Sequence, residues 1–303
     1  MSLLQAIILG IVQGLTEFIP ISSTAHLVLT SRLMKLALSP EQLTASIAVI
    51  QLGTLIAVFV YFAGDIWNIT RAFILDHLRL MTGKRALPDG RATAPQTGAT
   101  RNGGRNSVLS QEAWLGWLVI IGSIPVAVMG LLFKKQIEGT FTKNLWVIAT
   151  MMIAIALVLA IAEVVGKQRR RMQELGMKDA LAVGFAQVLA LIPGSSRSGS
   201  TIMAGLFVGE TRETAARFSF LLSIPAVAAS GLLELKEALH KLPHDSLTTL
   251  AVGTIVSGIV GYASIWLLLR YLRTHTTGVF IGYRLIVGGA ILFLLFTGRL
   301  AAL

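Results

Sequence analysis

Two short segments of this chain carry chemically active side chains inside otherwise apolar sequence. The first holds Gln13 and Glu17, four residues apart and so on one face of a helix. It continues as Pro20-Ile21-Ser22-Ser23-Thr24-Ala25-His26. If a helix restarts after Pro20, Ser23 and His26 fall on one face, a candidate nucleophile one turn from a candidate general base. Ser22 or Ser23 can also serve as the N-cap of that helix, with His26 satisfied in a polar pocket. Capping accounts for one serine and leaves Glu17 and His26 without a reason to be there.

The second segment reads Pro193-Gly194-Ser195-Ser196-Arg197-Ser198-Gly199-Ser200-Thr201. Gly194 and Gly199 let backbone approach a ligand closely. The hydroxyls of Ser195, Ser196 and Ser198 and the free N–H groups of a following helix suit an anion. Arg197 adds a planar two-pronged donor matched to phosphate oxygens. No G-K-[ST] ending follows, so this is not a nucleotide-binding P-loop. The structural alternative is a capped turn whose Arg197 pairs with Glu17. Facing one another, the two segments offer an anion site opposite a hydroxyl, an imidazole and a carboxylate. That set suits phosphoryl transfer to a serine or to an activated water.

The elements that must position these residues are set by composition. Of 303 residues, 54% are hydrophobic and 14% charged, and the mean hydropathy is +0.74. A soluble domain carries roughly 25% charged residues, so this chain is expected to lie in a membrane. The formal charge of +11 then belongs to cytoplasmic loops rather than to a nucleic-acid surface. With Cys at 0, disulfides, zinc thiolates and thiol catalysis are excluded. The N-terminus lacks a basic n-region, and Gln13 and Glu17 interrupt its apolar run, so it does not read as a cleavable signal peptide.

A spanning helix needs about 20 apolar residues, and the stretches 43–63, 113–133, 145–165, 218–235, 247–269 and 279–298 qualify. Residues 3–19 and 180–192 are apolar but stop at Pro20 and Pro193, and shorter apolar stretches follow at 24–36 and 199–209. Each pair is expected to form a re-entrant hairpin whose turn is buried in protein. Gly10, Gln13 and Leu15 recur as Gly184, Gln187 and Leu189, and, with a one-residue slip, Ile19 to Ser23 recur as Ile192 to Ser196. The expected fold is therefore an all-α polytopic membrane protein, one domain over 1–303, built of two repeats, 1–170 and 171–303. Each repeat is a re-entrant hairpin plus three transmembrane helices. Three spans change side, so the second repeat is inverted, and its hairpin turn meets the first near the midplane.

Weaker candidates remain. Gln51, and Arg284 beside Tyr283, either line the cavity or satisfy helix contacts. His77, His240, His244 and His275 fall in expected loops. Residues 82–110 read as a flexible cytoplasmic insert. The run Lys167, Arg169, Arg170, Arg171 is either a topology signal or an anionic-lipid site.

Gln13-Gly14-Leu15-Thr16-Glu17-Phe18, Pro20 to His26 and Pro193 to Gly199 together resemble the signature motifs of the undecaprenyl-diphosphate phosphatase, or bacitracin-resistance protein, family. Ile50-Gln51-Leu52-Gly53 and Phe218 to Leu222 are similar to it as well, so the resemblance runs along essentially the whole chain. It implies a multi-pass bacterial plasma-membrane enzyme with its site open outward. Its substrate would be undecaprenyl diphosphate, cut to the monophosphate and inorganic phosphate to supply carrier lipid for the cell wall. Carried over residue by residue, Ser23 would be the nucleophile, His26 its base and Arg197 the phosphate clamp. Glu17 with Gln13 would position the attacking group or a cation. Ser22, Gly194, Ser195, Ser196, Ser198 and Gly199 would line the substrate. The family is associated with Mg²⁺ or Ca²⁺; Gln13 stands where the family accepts Glu or Gln, so Glu17 is the metal candidate. No nucleic-acid partner is implied, and the sequence leaves room for a homo-oligomer. A lipid-phosphate transporter or flippase is the rival reading, because inverted repeats with broken helices are also transporter architecture.

Loops 64–112, 166–179, 210–217 and 270–278 lie on one side of this layout and hold 16 Lys/Arg, against 8 on the other. The richer side is expected in the cytoplasm. Reporter tags on the two ends should both read out as extracytoplasmic, and a tag within 82–110 as cytoplasmic. Ends found on opposite sides would overturn the inverted repeat.

Overall fold

The computed structural model describes residues 1–36, 38–82, 109–133, 144–241 and 247–302. Among these, eleven α-helices form: α1 Leu3–Phe18, α2 Ser23–Leu33, α3 Pro40–Tyr61, α4 Ala63–Met81, α5 Gln111–Leu132, α6 Leu145–Val165, α7 Met177–Val188, α8 Arg197–Phe207, α9 Arg212–Lys241, α10 Leu247–Leu272 and α11 Gly278–Phe296. Their starts are written in local sequence. Ser2 and Ser39 make capping boxes with Gln5 and Gln42, Pro40 opens α3, and Ser110 and Asn144 cap α5 and α6. The insert 82–110 lies almost wholly outside the described residues, as does His244.

Among the described residues, five helices are long and apolar enough to cross a membrane: Gln42–Tyr61, Gln111–Leu132, Leu145–Val165, Thr248–Leu272 and Gly278–Phe296. The sixth expected stretch, 218–235, lies within the 30-residue α9, which contains Pro225. The broken segments are real breaks. At 1.5 Å per residue, helices of 16 and 11 residues in the first hairpin, and 12 and 11 in the second, fall short of a hydrocarbon core of about 30 Å.

One expectation is corrected. Residues 64–81, read as part of loop 64–112, belong to helix α4. They escaped a search for uniformly apolar windows because Asp65, Arg71, Asp76 and Arg79 interrupt them. The apolar positions instead recur at helical spacing, Ile66, Ile69 and Phe73, and α4 packs on α5. His77 is consequently not a solvated loop residue. Its Nδ1 lies 2.6 Å from the Phe73 carbonyl, and Trp117 donates to its Nε2 at 3.1 Å. His240 likewise belongs to the end of α9, whereas His275 is exposed in a turn.

The halves are interlocked rather than side by side. α1 packs chiefly on α10, and its counterpart α7 on α5. Both crossings are close because both use glycine. A Cβ on Gly10 would sit 2.5 Å from the Gly253 carbonyl oxygen, and one on Gly184 2.3 Å from that of Gly122. Such small-residue contacts are how helices associate where lipid removes the hydrophobic drive.

Ion pairs gather four of the expected loops at one end of the bundle. Asp65 meets Arg217 at 2.8 Å, Arg273 meets Glu213 at 2.9 Å, and Arg170 grips Asp179 with two bonds of 2.5 and 2.7 Å. Glu163 joins Arg212 and also accepts from the Thr277 hydroxyl at 2.6 Å. Arg170 is therefore committed internally rather than free for lipid. Glu210, fully buried between α8 and α9, has no hydrogen-bond partner among the described residues for either carboxylate oxygen. Burial and then the nearby Asp179 push its carboxyl up to about 8, against a smaller opposing pull from Arg170.

That shift has a stability consequence with a definite sign. Between the ordinary 4.5 and about 8 the folded state keeps a proton that the unfolded chain has released, so this contribution is full below about 4.5 and lost as pH rises through about 8. The thermal midpoint in detergent should fall across that window, and Glu210→Gln should flatten the fall. An unchanged slope in Glu210→Gln would place the titration elsewhere.

Candidate active site

Each hairpin reverses direction through a serine held in an unusual backbone state. α1 ends at Phe18, Ile19 is extended, and Ser22 takes φ 78 as N-cap of α2. In the second hairpin Ser196 takes φ 68 as N-cap of α8. Left-handed conformations cost a non-glycine residue about 1–3 kcal/mol and persist only where the surroundings impose them. Gln13 and Ser22 are as far apart in sequence as Gln187 and Ser196, so the two caps are equivalent. The cap equivalence pairs Ser22, not Ser23, with Ser196, and the one-residue slip read from the sequence belongs to the prolines alone. Gly194, at φ 91, lies so close to α6 that a Cβ would be 2.2 Å from the Ile148 carbonyl oxygen.

Beside both turns lies Arg284. Its guanidinium is fully buried and surrounded by backbone carbonyls. Nη1 donates to Pro20 at 3.2 Å, Nη2 to Gly194 and Ser195 at 3.0 Å each, and Nε to Met152 at 3.1 Å. A single side chain from α11 thus ties the first turn, the second turn and α6 together. A second bridge crosses beside it, where Arg197 Nη2 meets Glu17 Oε1 at 3.0 Å and Gln13 Nε2 donates to Glu17 Oε2 at 3.0 Å. Arg197 Nη1 is buried with no hydrogen-bond partner among the described residues. It is an uncommitted donor, suited to an anionic oxygen.

Of the expected site residues, Gln13, Glu17 and Arg197 form one hydrogen-bonded chain, and Gly194 and Ser195 share Arg284 with Pro20. Ser196 is spent as a cap, accepting from the Gly199 N–H at 3.2 Å and lying 3.2 Å from the Ser198 hydroxyl. Ser195 Oγ is buried and unpartnered. Ser22 proves to be the cap of α2, its hydroxyl accepting from the Ala25 N–H at 3.5 Å. Ser23 and His26 do open α2 one turn apart, and no hydrogen bond joins them among the described residues. His26 Nδ1 instead lies 2.7 Å from the Ser22 carbonyl, and Nε2 lies 2.7 Å from the Tyr283 hydroxyl. A carbonyl only accepts, so Nδ1 carries the proton; when the ring is neutral, the Nε2 lone pair takes the Tyr283 O–H. His26 stands one turn beyond Ser22, whose carbonyl also accepts the His26 N–H at 3.4 Å in the helix's own pattern, so the cap carbonyl lies under the imidazole.

Sequence reasoning undervalued Tyr283 and Arg284. The available signal was an arginine inside an apolar span, which by default marks function. It left unassigned the Thr201 hydroxyl, which donates to the Arg197 carbonyl at 2.7 Å and lies 2.5 Å from Ser219 Oγ, fixing α8 against α9. Gln51 sits half-buried on α3, apart from this network. For a cation, no group of three or more His, Cys, Asp or Glu gathers among the described residues. Glu17 and the buried, unpartnered Gln13 Oε1 supply at most a carboxylate and an amide oxygen. That donor set fits a hard divalent ion that brings water and phosphate oxygens with it, not an all-protein cage.

A family model described as bacitracin resistance protein BacA matches residues 6–290 of the chain. Curated relatives include the undecaprenyl-diphosphatase of Syntrophobacter fumaroxidans, 49% identical over 299 residues and 98% of each chain. The undecaprenyl-diphosphatase of Chlorobium limicola is 47% identical over 311 residues, and that of Mycolicibacterium gilvum 45% over 306, each covering 100% of both chains.

Arg284→Lys should show how far the two turns depend on one side chain. An ammonium has three donors and no planar fork, and each buried carbonyl left unpaired costs about 1–3 kcal/mol. Backbone amide exchange should therefore quicken together at 19–26 and 193–200. Loosening confined to one of the two segments would refute a shared anchor.

Proposed function

The chain belongs to the bacitracin resistance protein BacA family and hydrolyses undecaprenyl diphosphate to undecaprenyl phosphate and inorganic phosphate; we propose that the two turns joined through Arg284 are where the bond is cut. The observation that carries this assignment is the pair of bridges at the turns. Arg284 and the Arg197–Glu17 pair set the helix beginning at Ser23 beside the helix beginning at Arg197, whose Nη1 has no partner. The chain is a multi-pass membrane protein, and the exchange of packing partners between its halves supports two inverted repeats. Their common site lies near the bilayer midplane and opens away from the Arg-rich end, with both termini extracytoplasmic. A diphosphate headgroup reaches the turns while its prenyl tail stays among apolar helices.

The terminal phosphoryl group docks on Arg197 Nη1 and on the free N–H groups that open α2 and α8. Glu17 holds Arg197 in place, and Gln13 holds Glu17. Ser23 Oγ attacks the terminal phosphorus, a Ser23–phosphate ester forms, and the bond to the lipid phosphate breaks. The serine proton passes to His26 Nε2, which exchanges its Tyr283 hydrogen bond for the reacting hydroxyl, while the Ser22 carbonyl keeps Nδ1 protonated and the ring aligned. Water then attacks the ester, Ser23 recovers the proton from His26, and the water proton leaves with inorganic phosphate. A Mg²⁺ or Ca²⁺ bound through Glu17, Gln13 and substrate oxygens would offset phosphate charge.

Single-turnover phosphate release in detergent tests the assignment. Ser23→Ala should abolish it, and His26→Ala should lower it by about 10²–10⁴. The double variant should be hardly worse than either, since residues acting as a unit are not additive. Ser22→Ala should lose about 0.5–2 kcal/mol of cap and retain turnover. Full activity in Ser23→Ala would overturn the covalent route and leave a water activated at Glu17.

A further inference from the structure

An open apolar cleft of about 240 Å³ runs between α4, α5 and α9, walled by Ile69, Phe73, Val119, Ile120 and Pro225, with Thr70 its one polar side chain. Ile224 lines this cleft and also lines the small pocket that holds Glu17 and Arg197. The two spaces therefore share a wall at the candidate active site. Two local features shape its wall. Gly116 lets α4 side chains close on α5, since a Cβ there would be 3.0 Å from Phe73 Cδ2, and Pro225 denies Leu221, another wall residue, the backbone hydrogen bond that would complete the turn. At its outer edge Ile120 is 45% exposed, on the face a transmembrane helix turns to lipid.

We infer that this cleft is the binding site for the head-proximal part of the substrate's polyprenyl tail; the inference rests on the hydrolase reading above. A diphosphate fixed at Glu17 and Arg197 sits at membrane depth, so its first isoprene units need an apolar way out of the bundle. Ile224 marks where that way begins. The cleft gains little affinity by burying the tail, because lipid is as apolar as its walls. Its contribution is orientation. A seated tail aims the phosphate chain at the turns, and that appears in kcat/KM as proximity. Helix α4, which the span count does not require, has this wall as its purpose.

Val119→Trp and Ile120→Trp test the inference in detergent, with undecaprenyl diphosphate and geranyl diphosphate compared on each variant. Filling the cleft should lower the ratio of kcat/KM, long chain over short, by about tenfold, equivalent to about 1.4 kcal/mol. An unchanged ratio overturns the site. The wild-type protein supplies the second measurement: a diazirine-tailed polyprenyl diphosphate should label 66–73, 116–120 or 221–225, and undecaprenyl diphosphate should compete. Labelling confined to other segments, or displaced equally by phosphatidylglycerol, means that bulk lipid occupies the cleft and overturns the proposal. Should wild-type protein release phosphate from neither diphosphate, the hydrolase reading fails, while the labelling still reports on the cleft.

Discussion

Everything at the centre of this protein hangs on one buried guanidinium. A hairpin that turns back inside a membrane exposes carbonyls that neither lipid nor its own helix can satisfy. Two such hairpins meet here, and Arg284 answers both by presenting several N–H donors to carbonyls of Pro20, Gly194, Ser195 and Met152. A neutral side chain has too few donors, and an ammonium lacks the planar spread. The positive charge is matched by carbonyl dipoles rather than by a carboxylate. Glu17 is thereby left to Arg197, and Arg197 keeps a nitrogen in reserve.

The strained serines follow from the same constraint. Ser22 and Ser196 adopt left-handed backbone because the chain must leave one short helix and enter the next within a few residues, with its carbonyls already claimed. Beyond Ser22 the chain enters α2 at once, and the Ser22 carbonyl lies 2.7 Å from His26 Nδ1. That contact holds a proton on Nδ1 and leaves Nε2 facing Tyr283.

Around this centre the molecule divides its surfaces by function. One end is laced by Arg–carboxylate pairs, the outer faces carry bare Leu, Ile, Val and Phe for lipid, and an apolar cleft opens between α4, α5 and α9. A lipid diphosphate needs these regions together, because its charged and apolar parts must be held at once. Neither the polar turns nor the apolar cleft alone would distinguish this substrate from inorganic diphosphate or from a bulk lipid.

The sequence by itself determined the broken helices, the long apolar spans and the identity of Gln13, Glu17, Ser23, His26 and Arg197 as candidates. Those features are local: proline stops a helix where it stands, a spanning helix must be apolar throughout, and a charge in an apolar run is conspicuous. Helix α4 was legible only as amphipathic period, which a search for spans passes over. What the tertiary structure decided is which groups meet. Tyr283 lies far along the chain from His26, and Arg284 far from either turn, so no spacing rule joins them. Whether Ser23 bonds to His26 depends on what else reaches the imidazole, and Tyr283 reaches it from another helix. The candidates were written in one dimension, and their pairing was decided where two interlocked halves cross and every buried carbonyl must find a donor.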